Sequence, residues 1–172
     1  MERWRRIDAA TEHEAADLLQ TCCGAPRWVE RMRARRPFGT EDAVLAAARE
    51  EWSGLSEDEW RDAFSHHPRI GDRDALRRRF AATRDLSQRE QSGVRGATEE
   101  VLAALDEANR KYEARFGYVF LVCATGRTAE EMLGLLRARM QNDPETEIRV
   151  AAAEHAKICE LRLLTRDEPS ES

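Results

Sequence analysis

Hydrophobic residues recur at helical spacing along most of the chain, and helix-stop residues separate one stretch from the next. Capping boxes, a Ser or Thr followed three residues later by Glu, occur at Thr11, Ser56 and Thr128. Further helices are predicted to begin at Pro26 and near Thr40, Thr98 and Pro144. A length of 172 residues fits one domain. We predict an all-α fold, with a single compact multi-helix domain over residues 1–165 and a polar, disordered tail over residues 166–172.

Segment 118–124 departs from this helical pattern. It is the only strand-like run in the chain, and it lies between Gly117 and Gly126. A short apolar run of this kind fits a buried strand, a buried loop or a helical turn. If it is not helical, its backbone N–H and C=O groups can meet a polar ligand. Alternatively, it is a core segment whose backbone groups are all paired internally.

The charge balance narrows the range of functions. The chain has 28 Lys and Arg residues against 33 Asp and Glu residues, a formal net charge of −5. This balance argues against a nucleic-acid-binding protein, which usually carries a basic excess. No apolar run approaches the roughly 20 residues that span a bilayer, and the first residues lack the apolar stretch of a secretory signal. We expect a cytoplasmic protein that binds neither membranes nor nucleic acid.

The four cysteines form no familiar metal or redox motif. Their spacing fits neither a zinc ribbon nor a Cys-x-x-Cys pair. Cys22 and Cys23 are interpreted as packed helix residues, while Cys123 and Cys159 have no partners at ligand spacing. We therefore expect no metal site.

His67 is the first of two polar features that fit a binding or catalytic role. It continues the apolar face of Trp60 and Phe64, but it precedes Pro68, which disfavours helical geometry at His67. A histidine at a helix exit, backed by aromatic residues and followed by a Pro/Gly turn, is well placed to face a pocket. The alternative is an ordinary surface or core histidine at a helix end.

Segment 87–91, Ser-Gln-Arg-Glu-Gln, is the second such feature. Its Ser-x-x-Glu spacing is again that of a capping box, which is one interpretation. In the other, the hydroxyl, carboxylate and amide groups of Ser87, Glu90 and Gln91 present hydrogen-bonding groups to one ligand. The spacing alone does not decide between the two.

Together these features resemble the 2-oxo-4-hydroxy-4-carboxy-5-ureidoimidazoline (OHCU) decarboxylase family. The resemblance extends from about Ile7 to Leu164 and depends on several motifs in the family's order and at its separations. The motifs are Arg36-Pro37-Phe38, His67-Pro68-Arg69-Ile70-Gly71, Ser87-x-x-Glu90-Gln91, Arg115-Phe116-Gly117-Tyr118-x-Phe120 and Lys157-Ile158-Cys159-x-Leu161-Arg162-Leu163. One departure is Tyr118-Val119, which stands where the family often has Phe-Pro.

The resemblance implies an all-helical, usually homodimeric enzyme that needs no cofactor. It would convert OHCU to (S)-allantoin, the last step from urate in purine catabolism. The catalytic residues would be His67 and Glu90, with no metal ion. The implied substrate-binding residues are Pro68, Ser87, Gln88, Arg89, Glu90, Gln91, Phe120, Leu121, Val122, Cys123, Ala124 and Arg162.

Two other functions stay open at this point. The first is a cofactor-free lyase or hydrolase that acts on a related ureide, which a substrate panel would distinguish. The second is a helical binding module without catalysis, in which the polar motifs are only helix caps. In that case, substitution of His67 or Glu90 would change stability and leave no turnover to lose.

Overall fold

The computed structural model describes residues 1–67 and 98–166, and within these ranges every regular element is an α-helix. The helices are α1 (Arg3–Ala9), α2 (Glu12–Cys22), α3 (Pro26–Ala34), α4 (Glu41–Ser53), α5 (Glu57–Ser65), α6 (Glu99–Phe116), α7 (Ala129–Arg139) and α8 (Pro144–Leu164). The predicted all-α fold is confirmed. An isolated bridge between Glu2 and Arg166 is the one β-type pairing in these ranges. None of the described helices combines the length and the apolar character needed to cross a bilayer.

The predicted capping boxes begin three of the helices. In α2, Thr11 Oγ1 accepts a hydrogen bond from the Glu14 backbone N–H at 3.4 Å, and the Glu14 carboxylate accepts one from the Thr11 backbone N–H at 3.0 Å. Ser56 and Thr128 form the same reciprocal pair with the Glu three residues later, at the starts of α5 and α7. Each box satisfies backbone N–H groups that have no partner within the helix, and losing such a cap typically costs about 1 kcal/mol.

The chain divides into two compact units. Unit 1 comprises Met1–His66 and Ala152–Ser172, and unit 2 comprises His67–Ala151. The division falls inside α8. The first part of that helix therefore belongs to unit 2 and the remainder to unit 1.

Trp28 and Trp52 lie in the core of unit 1. Trp28 of α3 is 1% exposed, and Trp52 of α4 is 6% exposed. Their indole N–H groups donate to the carbonyl oxygens of Ala48 and Ala152, at 3.1 and 3.0 Å respectively. The rings thus bury a large apolar surface while their polar atoms stay hydrogen-bonded. These contacts join α3 and the C-terminal part of α8 to α4.

Helix α1 is missing from the sequence-based prediction because it carries no local start signal. Its N-terminus has no side-chain cap, and its first turn has no acidic residue. Tertiary contacts hold it instead, since Trp4 and Ile7 are buried. The Asp8 carboxylate accepts a bond from the Phe38 backbone N–H at 2.9 Å, and Arg36 Nη1 donates to the Ile7 carbonyl at 2.5 Å. The motif at 36–38 therefore has a structural role in attaching α1.

Unit 2 packs α6 against α7 around buried aromatic residues. The Tyr112 and Phe116 rings lie 4.7 Å apart by their centroids, and Leu136 of α7 is fully buried. Helix α6 ends at Gly117, whose φ of +81° is a left-handed conformation that favours glycine. The chain then continues through residues 118–124 without regular structure. Of the three interpretations of this run, the structure therefore supports the buried loop.

Candidate functional site

His67 lies directly beyond the end of α5, as the proline after it predicts. The helix ends at Ser65, and His66 occupies the C-cap position with φ −80° and ψ −7°. His67 follows as a half-buried residue outside the helix. A half-buried imidazole at a helix exit can exchange a proton with a ligand while the protein holds its orientation. The catalytic role of His67 stays a prediction.

Six further residues of the predicted site lie outside the described residues. They are Pro68, Ser87, Gln88, Arg89, Glu90 and Gln91. Both interpretations of segment 87–91, a capping box and a ligand-binding segment, therefore stay predictions. The catalytic role of Glu90 stays a prediction as well.

Residues 120–124, here called the wall segment, form a largely buried loop between α6 and α7. Phe120, Leu121 and Val122 are 4%, 3% and 7% exposed. Cys123 and Ala124 are half-buried. The segment thus changes from core to partly accessible along its length, which places backbone groups close to the surface of unit 2.

The backbone of the wall segment is partly committed to protein donors. The Leu121 carbonyl accepts a bond from Arg139 Nη1 at 2.6 Å, and the Cys123 carbonyl accepts one from Arg127 Nε at 3.1 Å. Within the described ranges, the amides of Phe120, Leu121 and Val122 donate to no backbone carbonyl. The Leu121 and Cys123 carbonyls are thus bonded within the protein, whereas these three amides have no partner in the described backbone. That the segment binds a polar ligand stays a prediction.

A buried ionic network supports the wall segment. Arg139 of α7 bonds Glu147 Oε1 of α8 through Nε at 2.8 Å and through Nη2 at 2.5 Å. Glu147 is 0% exposed and also accepts a hydrogen bond from the Tyr112 hydroxyl. The Arg139 guanidinium carbon lies 4.6 Å from the centroid of the Phe120 ring, a cation–π distance. One arginine therefore fixes both the Phe120 ring and the Leu121 carbonyl.

The Tyr112 hydroxyl keeps its proton and donates it in the hydrogen bond to Glu147. Burial raises the pKa of the Tyr112 hydroxyl, and its bond to Glu147 raises the pKa further. The Asn142 side-chain amide donates to the second carboxylate oxygen of Glu147 at 2.8 Å. No short spacing marks these residues, since they come from three helices and a turn. The available sequence signal is a charged residue on an apolar face, because Arg139 follows Leu136 by three positions.

Arg162 of α8 contacts the C-terminal end of α2. Its Nη1 donates to the carbonyl oxygens of Thr21 and Cys22, both at 3.3 Å. The last carbonyls of a helix form the negative end of its dipole, where a cation is stabilising. The described contacts thus give Arg162 a structural role at the end of α2. Its role in substrate binding stays a prediction.

Three buried side chains of metal-ligating type lie together in unit 1. Cys23 follows α2, and His155 and Cys159 lie one turn apart on α8, with the three ligand atoms within 4.8 Å of one another. The expectation that Cys159 lacks partners at ligand spacing is wrong. His155 precedes it by four residues on the same helix, and the fold brings Cys23 from a distant part of the chain. Cys22 and Cys23 are both fully buried, as their interpretation as packed residues requires. Only Cys22 lies in the helix, however, since Cys23 has an extended backbone with φ −142° and ψ 127°.

Comparisons with known proteins point to one family. The family model for OHCU decarboxylase matches residues 8–164. The crystal structure of an OHCU decarboxylase in the presence of (S)-allantoin is 30% identical to this chain, with a TM-score of 0.70. That match covers 90% of this chain and 96% of the solved one.

Curated relatives show the same similarity. A uric acid degradation bifunctional protein of Arabidopsis thaliana is 31% identical over 147 residues, which are 86% of this chain and 45% of the relative. An OHCU decarboxylase of Haloferax volcanii is 26% identical over 142 residues, 81% of this chain and 80% of the relative. The chain spans about half or less of the length of several such relatives, 45% for the Arabidopsis protein and 32% for a bifunctional protein of Bacillus sp..

Proposed function

Because the chain belongs to the OHCU decarboxylase family, we propose that it decarboxylates OHCU to (S)-allantoin, the last step in the conversion of urate to allantoin in purine catabolism. The match over residues 8–164 carries this proposal. It includes His67, segment 87–91, the wall segment and Arg162. The 30% identity to a solved OHCU decarboxylase supports the same reaction.

The substrate contains its own electron sink. Its carboxylate is attached to a carbon that also bears a hydroxyl and lies next to a ring C=N. When the carbon–carbon bond to the carboxylate breaks, CO₂ leaves and the electron pair moves into the imine. The protein therefore has to bind, orient and protonate, and it needs no cofactor for the bond cleavage.

His67 is the residue that we assign to proton transfer. Its unperturbed pKa of about 6.5 lies near the working pH, which suits a general acid or base. We assign it to the substrate hydroxyl, where it stabilises charge as the carboxylate leaves. Glu90 is the natural acceptor for the N–H groups of the ureido chain or ring, because a charged acceptor forms stronger hydrogen bonds than a neutral one. Gln91 and Ser87 add neutral donors and acceptors.

The wall segment and Arg162 complete the proposed binding groups. Amides of the wall segment would donate to substrate carbonyls, while its Leu121 and Cys123 carbonyls accept hydrogen bonds from Arg139 and Arg127. Arg162 would meet the anionic group of the substrate, which offsets locally the net charge of −5. We further propose that the enzyme acts in the cytoplasm and as a homodimer.

The formation of (S)-allantoin tests the proposal. The substrate is generated in situ from urate with urate oxidase and hydroxyisourate hydrolase, and circular dichroism is followed in an allantoin band. Unaided decay of the substrate is expected to give racemic allantoin, so chirality reports the enzyme better than the amount of product does. We expect a rapid (S)-allantoin signal that depends on this protein. A flat signal with folded protein would contradict the substrate assignment.

A histidine variant tests the assigned proton-transfer residue in the same assay. We expect His67→Ala to lower kcat by roughly 10²–10⁴-fold, the usual contribution of a general acid or base. His13→Ala is the matched control, since the His13 side chain on α2 is 91% exposed. Retention of wild-type turnover by folded His67→Ala would remove this residue from the mechanism.

A further inference from the structure

The buried cluster of Cys23, His155 and Cys159 is a metal-ligating set that decarboxylation does not use. The three ligand atoms lie within 4.8 Å of one another, and Cys159 Sγ is 3.3 Å from His155 Nδ1. Contrary to the expectation from the sequence, we propose that this cluster binds one Zn²⁺ ion through two thiolates and one imidazole.

The separations are close to those that zinc requires. In a tetrahedral site, Zn–S is about 2.3 Å and Zn–N about 2.0–2.1 Å, which places a sulfur and a nitrogen about 3.5 Å apart and two sulfurs about 3.8 Å apart. The 3.3 Å between Cys159 Sγ and His155 Nδ1 already agrees with the first value. Two ligand atoms at the upper limit of 4.8 Å would have to approach each other by about 1 Å to bind one zinc ion. A small χ1 rotation of a cysteine side chain supplies a movement of this size.

The cluster is preorganised by its helix and by the aromatic residues around it. His155 and Cys159 lie four residues apart, so their side chains share one face of α8. The imidazole ring of His155 stacks on the Trp52 ring, with 4.3 Å between the ring centroids and 10° between the ring planes. Its centroid lies 5.8 Å from that of the Phe64 ring. A ligand ring held in this way loses little conformational freedom when a metal binds.

Charge balance makes Zn²⁺ suitable for a buried position. Cys23 and His155 are 0% exposed, and Cys159 is 4% exposed. Binding exchanges two S–H protons for the ion, so Zn²⁺ with two thiolates and a neutral imidazole has no net charge. A neutral complex avoids the cost of burying an isolated charge.

A cleft next to Cys159 supplies access and a fourth ligand position. It has a volume of about 10 Å³, close to the room that one water molecule needs, and its lining includes Trp52 and Cys159. Arg49 and Glu160 also line it, and they form an ion pair at 2.7 Å. Zinc sites with three protein ligands keep a fourth position for water or a small ligand. The cleft places that position on the Cys159 side of the cluster.

Cobalt substitution tests the site directly. The reduced, chelator-treated full chain is titrated with Co²⁺, whose thiolate-to-cobalt charge-transfer and visible bands report tetrahedral coordination by sulfur. We expect these bands to reach an end point at one equivalent and to disappear when Zn²⁺ is added. Cys23→Ser and Cys159→Ser should each lose this end point. Cys123→Ser, a matched removal of a thiol in unit 2, should keep it.

Two outcomes would overturn the proposal. One is a folded wild-type chain that shows no thiolate-to-cobalt band, which needs no variant to interpret. The other is a band of equal intensity in folded Cys23→Ser or Cys159→Ser.

A thermal shift provides an independent readout, since a ligand that binds only the folded state raises Tm. Zn²⁺ should raise the Tm of the wild type and of Cys123→Ser, and a chelator should reverse the shift.

Discussion

The backbone at Gly24 lies so close to the His66 side chain that there is no room for a Cβ atom. A Cβ at Gly24 would lie 2.6 Å from His66 Cδ2 and 2.8 Å from His66 Cβ. Because the Cβ of His66 cannot rotate away, Gly24→Ala must shift the end of α5 or the segment after α2. We expect the free energy of unfolding to fall by about 1–3 kcal/mol, the usual cost of overpacking. Urea denaturation followed by circular dichroism measures this change.

Gly134→Ala is the matched control for that substitution. Gly134 lies inside α7, and a Cβ there would meet nothing within 4 Å. Alanine is the better helix former, so this variant should gain roughly 0.5–1 kcal/mol. A Gly24→Ala protein as stable as the wild type would show that Gly24 and His66 do not approach as closely as described.

The sequence predicted the position of a site residue only where a neighbouring residue in the chain determines that position. The position of His67 beyond α5 follows from Pro68, the next residue, through a clash between neighbours. Cys23 carries no such signal, because its partners His155 and Cys159 are more than a hundred positions away in the sequence. Only the fold brings them together. Of this three-residue cluster, the sequence shows only that His155 and Cys159 lie four residues apart on one predicted helix.

The buried pair of Arg139 and Glu147 makes the wall segment depend on α7 and α8. Glu147→Gln would leave the Arg139 guanidinium buried without its counter-charge, and the side chains are 10% and 0% exposed. We expect the free energy of unfolding to fall by about 3–5 kcal/mol, the usual cost of breaking a buried pair. Since Arg139 holds Phe120 and Leu121, kcat/KM should also fall. Denaturant titration and the (S)-allantoin assay measure the two effects.

Glu145→Gln on the same helix is the matched control. Glu145 pairs with Arg149 at 2.8 Å, but the side chains are 73% and 67% exposed. Water and salt screen such a pair, so its loss should change stability by less than about 1 kcal/mol. If Glu147→Gln behaved like Glu145→Gln, the buried network would have no part in holding the wall segment.

Helices that begin with a side-chain cap were predictable, whereas the loop between α6 and α7 was predictable only in its apolar character. Thr11, Ser56 and Thr128 identify their helices because the signal lies within four residues. The wall segment takes its conformation from Arg139, which lies on the next helix. Its sequence therefore indicates burial but leaves the choice between strand and loop to tertiary contacts.

The scarcity of exposed hydrophobic side chains among the described residues predicts what kind of interface the proposed homodimer would have. Among the described residues, the exposed large hydrophobic side chains are Met1 and Leu161. A dimer interface formed by these ranges would therefore be mainly polar. Light scattering during size-exclusion chromatography should give twice the chain mass of 19.7 kDa. Added salt should promote dissociation on dilution, because salt screens charged contacts but does not weaken apolar burial. The mass of a single chain at all concentrations would contradict the dimer, and a salt-insensitive dimer would place its interface on apolar residues.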